Sequence, residues 1–173
     1  MARKTSITHR RIVIPAALLQ APTRPSYFSG KLLSAEDLRQ EQDYLDRKRH
    51  LLNLATLGAG VVTGLAVSQE PGGAGVTVTP GYAIDPLGRE IVVPEAVCIP
   101  WPTSNLRPPR RWGVVIEYAE HETDPTPTTD GPMSSTVTEG YGITVVTGRP
   151  GRDDTRVVLR RYGAATAGTT RSG

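Results

Sequence analysis

The run from Ser34 to Asn53 leaves this chain little freedom. It holds neither glycine nor proline, and Pro22 and Pro25 before it and Gly58 and Gly60 after it stop it from growing. Ser34 is the natural N-cap, and Asp37 three residues on completes a capping box with the shorter acid. Leu33 just before the cap and Leu38 in the first turns match a hydrophobic staple. Glu36 and Asp37 sit in the first turn and Lys48, Arg49 and His50 near the last, the polarity that the helix dipole favours. The run therefore predicts one helix of about five turns. Its apolar face passes through Leu38, Leu45, Leu52 and Ala55, widened by Tyr44, Leu51 and Leu54. Such a face needs a surface to lie on, and the following residues read as a sheet.

Those residues are GAGVVTGLAV, then VTVTPGYAIDPLGREIVVP. Val61 to Val67 starts the sheet, with glycines placed to let a strand pass close beneath the helix. Val76 and Val78 alternate with threonines, the pattern of a half-buried strand. After Pro80 and Gly81, Asp85-Pro86-Leu87-Gly88 has the residue preferences of a type I turn between Tyr82–Ile84 and Arg89–Val93, with Asp85 holding the turn backbone. Ser34, Asp37, Gly60, Gly64, Pro80, Gly81, Asp85, Gly88, Arg89 and Glu90 are the residues that define this block.

Further strands follow. WGVVIEY puts Trp112, Val114, Ile116 and Tyr118 on one face, STVTEGYGITVV puts Tyr141, Ile143 and Val145 on one face, and TRVVLRRY turns Val157 and Leu159 inward. HETDPTPTTDGP at 121–132 reads as a long polar loop. The sequence predicts an α+β fold, mainly β: a small antiparallel sheet or partly open barrel packed against one long N-terminal helix, with an extended N-terminal arm. Its expected organisation is a docking arm over 1–25, one helix-plus-β domain over 26–162 and a flexible tail over 163–173. Pro15 keeps the arm from forming a continuous helix, and Ile12, Val13, Ile14, Leu18 and Leu19 are its candidate docking residues, joined by Tyr27, Phe28 and Trp101.

Composition narrows the function. With 173 residues the chain can bury a real core without help from disulfides or metals, and its one cysteine, Cys98, excludes an intrachain disulfide. The 18 Gly and 15 Pro favour short strands and turns over a helical bundle. No apolar run is long enough for a signal peptide or a membrane span, so assembly in the cytoplasm without membrane insertion is expected. A net charge of +3, spread over four small basic clusters, gives no stripe for nucleic acid. GAGVVTG follows a helix and lacks the spacing of a phosphate cradle. Neither Glu36 nor Glu41 of the helix has a histidine three residues on to complete a Glu-x-x-His ligand set. His121 among Glu120, Glu122 and Asp124 is the best-placed metal candidate, but one histidine with flexible acids falls short of the three or four converging ligands that a site needs. No catalytic residue, metal ligand or cofactor site is predicted.

The motifs YFSGKLL (Tyr27–Leu33) running into the helix, GVVTGL (Gly60–Leu65) and PGYAIDPLGRE (Pro80–Glu90) resemble a family of structural proteins encoded with phage-tail-like contractile injection systems. The likeness covers roughly residues 26 to 160; where many relatives carry a tryptophan before the Gly-Val-Val segment, this chain has Ala59. The resemblance implies a structural component near the baseplate or a fibre attachment point, with other particle subunits and itself as partners, in a particle that works either inside the cell or after release from it. Two other readings stay open. One is a carbohydrate or small-ligand module on Trp101, Trp112, Tyr118 and Tyr141; the other is an enzyme of unknown class using His50 or His121.

Overall fold

The computed structural model describes residues 13–71, 74–100, 111–129, 131–147 and 154–163. Ile12, Trp101 and the tail beyond Gly163 lie outside the described residues.

Among the described residues a single long helix, α1 (Ala35–Thr56), precedes nine strands: β1 (Gly60–Gly64), β2 (Val67–Gln69), β3 (Gly75–Val78), β4 (Gly81–Ile84), β5 (Glu90–Val93), β6 (Val97–Pro100), β7 (Arg111–Thr128), β8 (Gly131–Thr147) and β9 (Val157–Gly163). The protein is mainly β, as its turns and valine alternation predict. In place of one sheet or a barrel there are three antiparallel three-stranded sheets, ordered β1-β4-β5, β2-β3-β6 and β8-β7-β9. The division falls at Leu65, whose positive φ of 54° turns the chain out of β1 so that β2 joins a different sheet.

One core nonetheless unites them. Leu65, Val76 and Val78 from the second sheet region meet Ala83, Ile91 and Val93 from the first and Trp112, Val114, Ile116 and Val157 from the third, all buried. Close backbone contact at two glycines makes this possible. A Cβ on Gly64 would stand 2.1 Å from the Pro80 carbonyl oxygen, and one on Gly81 2.4 Å from that of Thr63. The glycines thus let β1 lie against the β3–β4 turn, not beneath the helix as the sequence suggested.

α1 begins as its sequence dictates. Ser34 Oγ accepts from the Asp37 amide, and the Asp37 carboxylate accepts in return from the Ser34 amide at 3.1 Å. Gly58, at φ 70°, follows the last turn and donates to Asn53 O. The packing of α1 differs from expectation. Only Asn53 and Leu54 are buried, both in its last turns, while Leu38, Leu45 and Leu52 are 54%, 57% and 61% exposed. At 100° per residue Leu54 points opposite to Leu45, so the side that meets the body is not the leucine face.

The arm is also not simply extended. Ala16–Leu19 forms a 3-10 turn that packs on α1, and Arg47 donates to Ala17 O at 2.9 Å. Residues 121–123, 125–128, 131 and 132, which the sequence predicts as loop, are instead paired, with Asp124 at φ 55° outside the ladder. β7 and β8 continue in unbroken register from Trp112↔Thr147 to Thr128↔Gly131. β9 pairs with β7 only from Arg111 to Ile116, so beyond Ile116 the sheet thins to a two-stranded ribbon. At about 3.4 Å per residue its twelve or so residue pairs reach roughly 40 Å.

Candidate functional site

Two groups of side chains stand out, and both begin at α1. The first is a polar joint where the end of α1, the β4–β5 turn and the root of the ribbon meet. Asp85 is fully buried and accepts from the Leu87 and Arg89 amides at 2.8 and 2.9 Å and from Arg89 Nε at 2.6 Å. A carboxylate with these donors is a turn clamp, the role its Asp-Pro-x-Gly context predicts. The Arg89 guanidinium then lies 4.5 Å from the centre of the Tyr118 ring, which links the turn to the ribbon root. Tyr118 donates to Glu120 at 2.8 Å; burial, followed by Glu120 and Glu139, pushes its phenol well above the ordinary value.

From the helix side, Asn53 Nδ2 donates to Gly88 O at 2.9 Å and to Glu90 Oε1 at 3.1 Å. Arg49 reaches Glu90 at 3.3 Å and Glu139, on the ribbon, at 4.0 Å. Gly88 has φ 91°, and a Cβ there would stand 2.5 Å from His50 O. The turn can press against α1 only because that residue is glycine. Burial lowers the His50 pKa from its ordinary value of 6.5, against the opposing pull of Asp46, Asp85 and Glu90. The groups of this joint bond to one another. Its geometry fixes the direction in which the ribbon leaves the body.

The second group surrounds the approach to α1. Tyr27, Phe28, Lys31, Leu33, Leu38 and Glu41 line an open groove of about 280 Å³. Tyr27 donates to Glu41 at 2.5 Å, and this bond is the main cause that raises its phenol to about 12. Lys31 donates to Asp37 at 2.6 Å, and this bond with those from Ser34 holds the Asp37 carboxyl down to about 2. The polar rim is thus internally satisfied, while Phe28, Leu33 and Leu38 stay 70%, 56% and 54% exposed. The groove floor is apolar and open.

The expected docking residues separate. Val13 and Leu19 are exposed, Ile14 and Leu18 are half-buried, and Tyr27 and Phe28 belong to the groove. Trp112 is buried and stacks on Tyr162 with ring centres 3.8 Å apart, and Tyr118 and Tyr141 pack against the core. Strand alternation sets His121 on the opposite face of β7 from Glu120 and Glu122, over Gly140. Among the described residues no three His, Cys, Asp or Glu side chains are gathered as a metal site requires, and no helix is long and apolar enough to cross a membrane.

Sequence reasoning missed Glu41, Lys31 and Leu33 as groove residues and Arg49, Tyr118 and Glu139 as joint residues. Glu41 stands fourteen residues from Tyr27, and Arg49 further still from Glu139, so no local spacing reveals these pairs. The seven-residue repeat of Leu38, Leu45 and Leu52 was the one available signal. No protein-family model matches the chain, and a search of curated proteins finds no relative.

Proposed function

We propose that this protein is a structural assembly component of a contractile injection system or related phage-tail-like particle, held at the baseplate or fibre-attachment region. The observation that carries this reading is the β7–β8 ribbon. A two-stranded ribbon gains little stability by itself in water, and from Glu117 outward this one has no third strand among the described residues. Extended chain that buries little within its own fold is suited to lie against another subunit, where backbone and side-chain contacts reward its order. The polar joint supports the same reading, since aiming a projection matters only when something receives it.

The YFSGKLL, GVVTGL and PGYAIDPLGRE motifs bring the class of particle to this architecture. In such a particle symmetry repeats each contact, so a modest interface per copy is sufficient. The test is to express the tagged chain together with the components of a contractile particle and purify the particles by density. The wild-type chain copurifies and labels one end of the particle. A variant in which residues 121–138 are replaced by Asn-Gly, linking the paired Glu120 and Glu139, stays in the soluble fraction. Wild-type chain missing from intact particles overturns the proposal.

A further inference from the structure

We infer that two copies of this chain pair through α1, antiparallel, about a two-fold axis at Leu45. Leu38, Leu45 and Leu52 recur at seven-residue spacing and form a line of exposed side chains along one side of the helix. The joint takes the adjoining side, from Arg49 round to Leu54, and the leucine line itself stays exposed to a second helix.

Charge beside the leucines selects both partner and direction. At 100° per residue, Glu41 and Lys48 lie on one flank of the leucine line, and Gln42 and Arg49 on the other. In a parallel pair each flank meets the other copy's opposite flank, so Glu41 would face Gln42, and Lys48 would face Arg49 and repel it. An antiparallel pair centred on Leu45 sets Leu38 against the other copy's Leu52. The same operation brings Glu41 level with Lys48 and Gln42 level with Arg49 on matching flanks. Every such contact occurs twice by symmetry, which is what an isologous interface requires. Lys48 lies 5.6 Å from the Tyr44 ring centre and has no salt bridge among the described residues, so it can reach a partner carboxylate.

The groove completes the fit. Leu38 forms part of its floor with Phe28 and Leu33, and the antiparallel register delivers Leu52 of the second copy to that place. The occupant of the groove is therefore another α1 and not a small molecule. This inference stands apart from the particle proposal, because it concerns the purified chain alone.

Cysteine pairing tests it directly. In a Cys98→Ser background, Leu45→Cys crosslinks to itself on mild oxidation. Leu38→Cys and Leu52→Cys remain monomeric separately but crosslink when mixed, because only that combination brings the two sulfurs within disulfide reach. Wild-type mass by light scattering is twice 18.6 kDa. It falls to the single-chain value in Leu45→Glu with the circular dichroism of the helix retained. Lys48→Glu weakens the dimer at least tenfold, and adding Glu41→Lys restores it. A wild-type chain that stays monomeric at high concentration overturns the inference. So does self-crosslinking of Leu38→Cys as efficient as that of Leu45→Cys, which would show a parallel pair.

Discussion

Asp85 concentrates at one residue what the β4–β5 turn needs. Its carboxylate is fully buried, receives two amides and one guanidinium, and shares Arg89 with the Tyr118 ring. Asp85→Ala removes an acceptor from all three donors, so it should destabilise the fold by about 3 kcal/mol. Asp85→Asn retains an oxygen for the amides and loses only the ion pair, so its cost should be nearer about 1 kcal/mol. Urea unfolding of the two variants separates these outcomes. His50 gives a second residue-scale expectation. Burial makes its folded pKa lower than the unfolded value of 6.5, so the folded state binds fewer protons there. Stability from this site is therefore full above pH 6.5 and declines as the pH falls below it, levelling once the folded histidine is itself protonated. Melting temperatures between pH 7.5 and about 5 should show that slope in wild type and lose it in His50→Gln. The roles of Ser34, Asp37 and Asp85 were legible because each acts on backbone a few residues away. That Gly88 must admit His50 was not, since the contact joins residues far apart in sequence.

Helix, ribbon and arm show how far pattern reading carries at the scale of elements. The cap, the acidic first turn and the leucine period located α1, because those signals are intrinsic to a helix; its end at Thr56 lies beyond Lys48, Arg49 and His50, and its last turn holds no basic residue. The period could not say what the leucine face meets; in the single chain that face is exposed, while Leu54 is buried and Asn53 and Arg49 tie the helix to the β4–β5 turn. Only the outer part of the ribbon, 121–132, reads as loop in the sequence: it is polar and turn-rich, and Pro125, Pro127 and Pro132 are poor partners in a central strand. In a two-stranded ribbon every strand is an edge, and proline amides missing from its outer rows break no ladder. Amides of β7 should accordingly divide at Ile116. Those from Trp112 to Ile116, flanked by strands on both sides, should resist hydrogen exchange close to the global limit. Those from Glu117 outward should exchange by local opening, at least a hundredfold faster. Equal protection along the whole strand would mean that the ribbon already rests on other chain.

For the whole molecule, charge separates the two association surfaces proposed above. Residues 117–141 contain six acids and neither lysine nor arginine, leaving 20 Lys and Arg against 11 Asp and Glu on the rest of the chain. The near-neutral total hides an acidic projection on a basic remainder, a division that overall composition could not reveal before the ribbon was seen to project. Each surface should answer to salt in its own way. In the proposed particle, docking of the ribbon would draw on exposed carboxylates, and at about 1 M salt, where the Debye length is near 3 Å, that attraction would be largely gone. The α1 pair rests mainly on leucines leaving water, which salt does not weaken. Raising the salt from about 0.1 to 1 M should therefore release the chain from particles while the released protein keeps a dimer mass. If salt instead dissolves the dimer and leaves the chain on its particle, the two surfaces have been given the wrong chemistry. The acidic ribbon would then have to bind through its backbone, and the helices through their charged flanks.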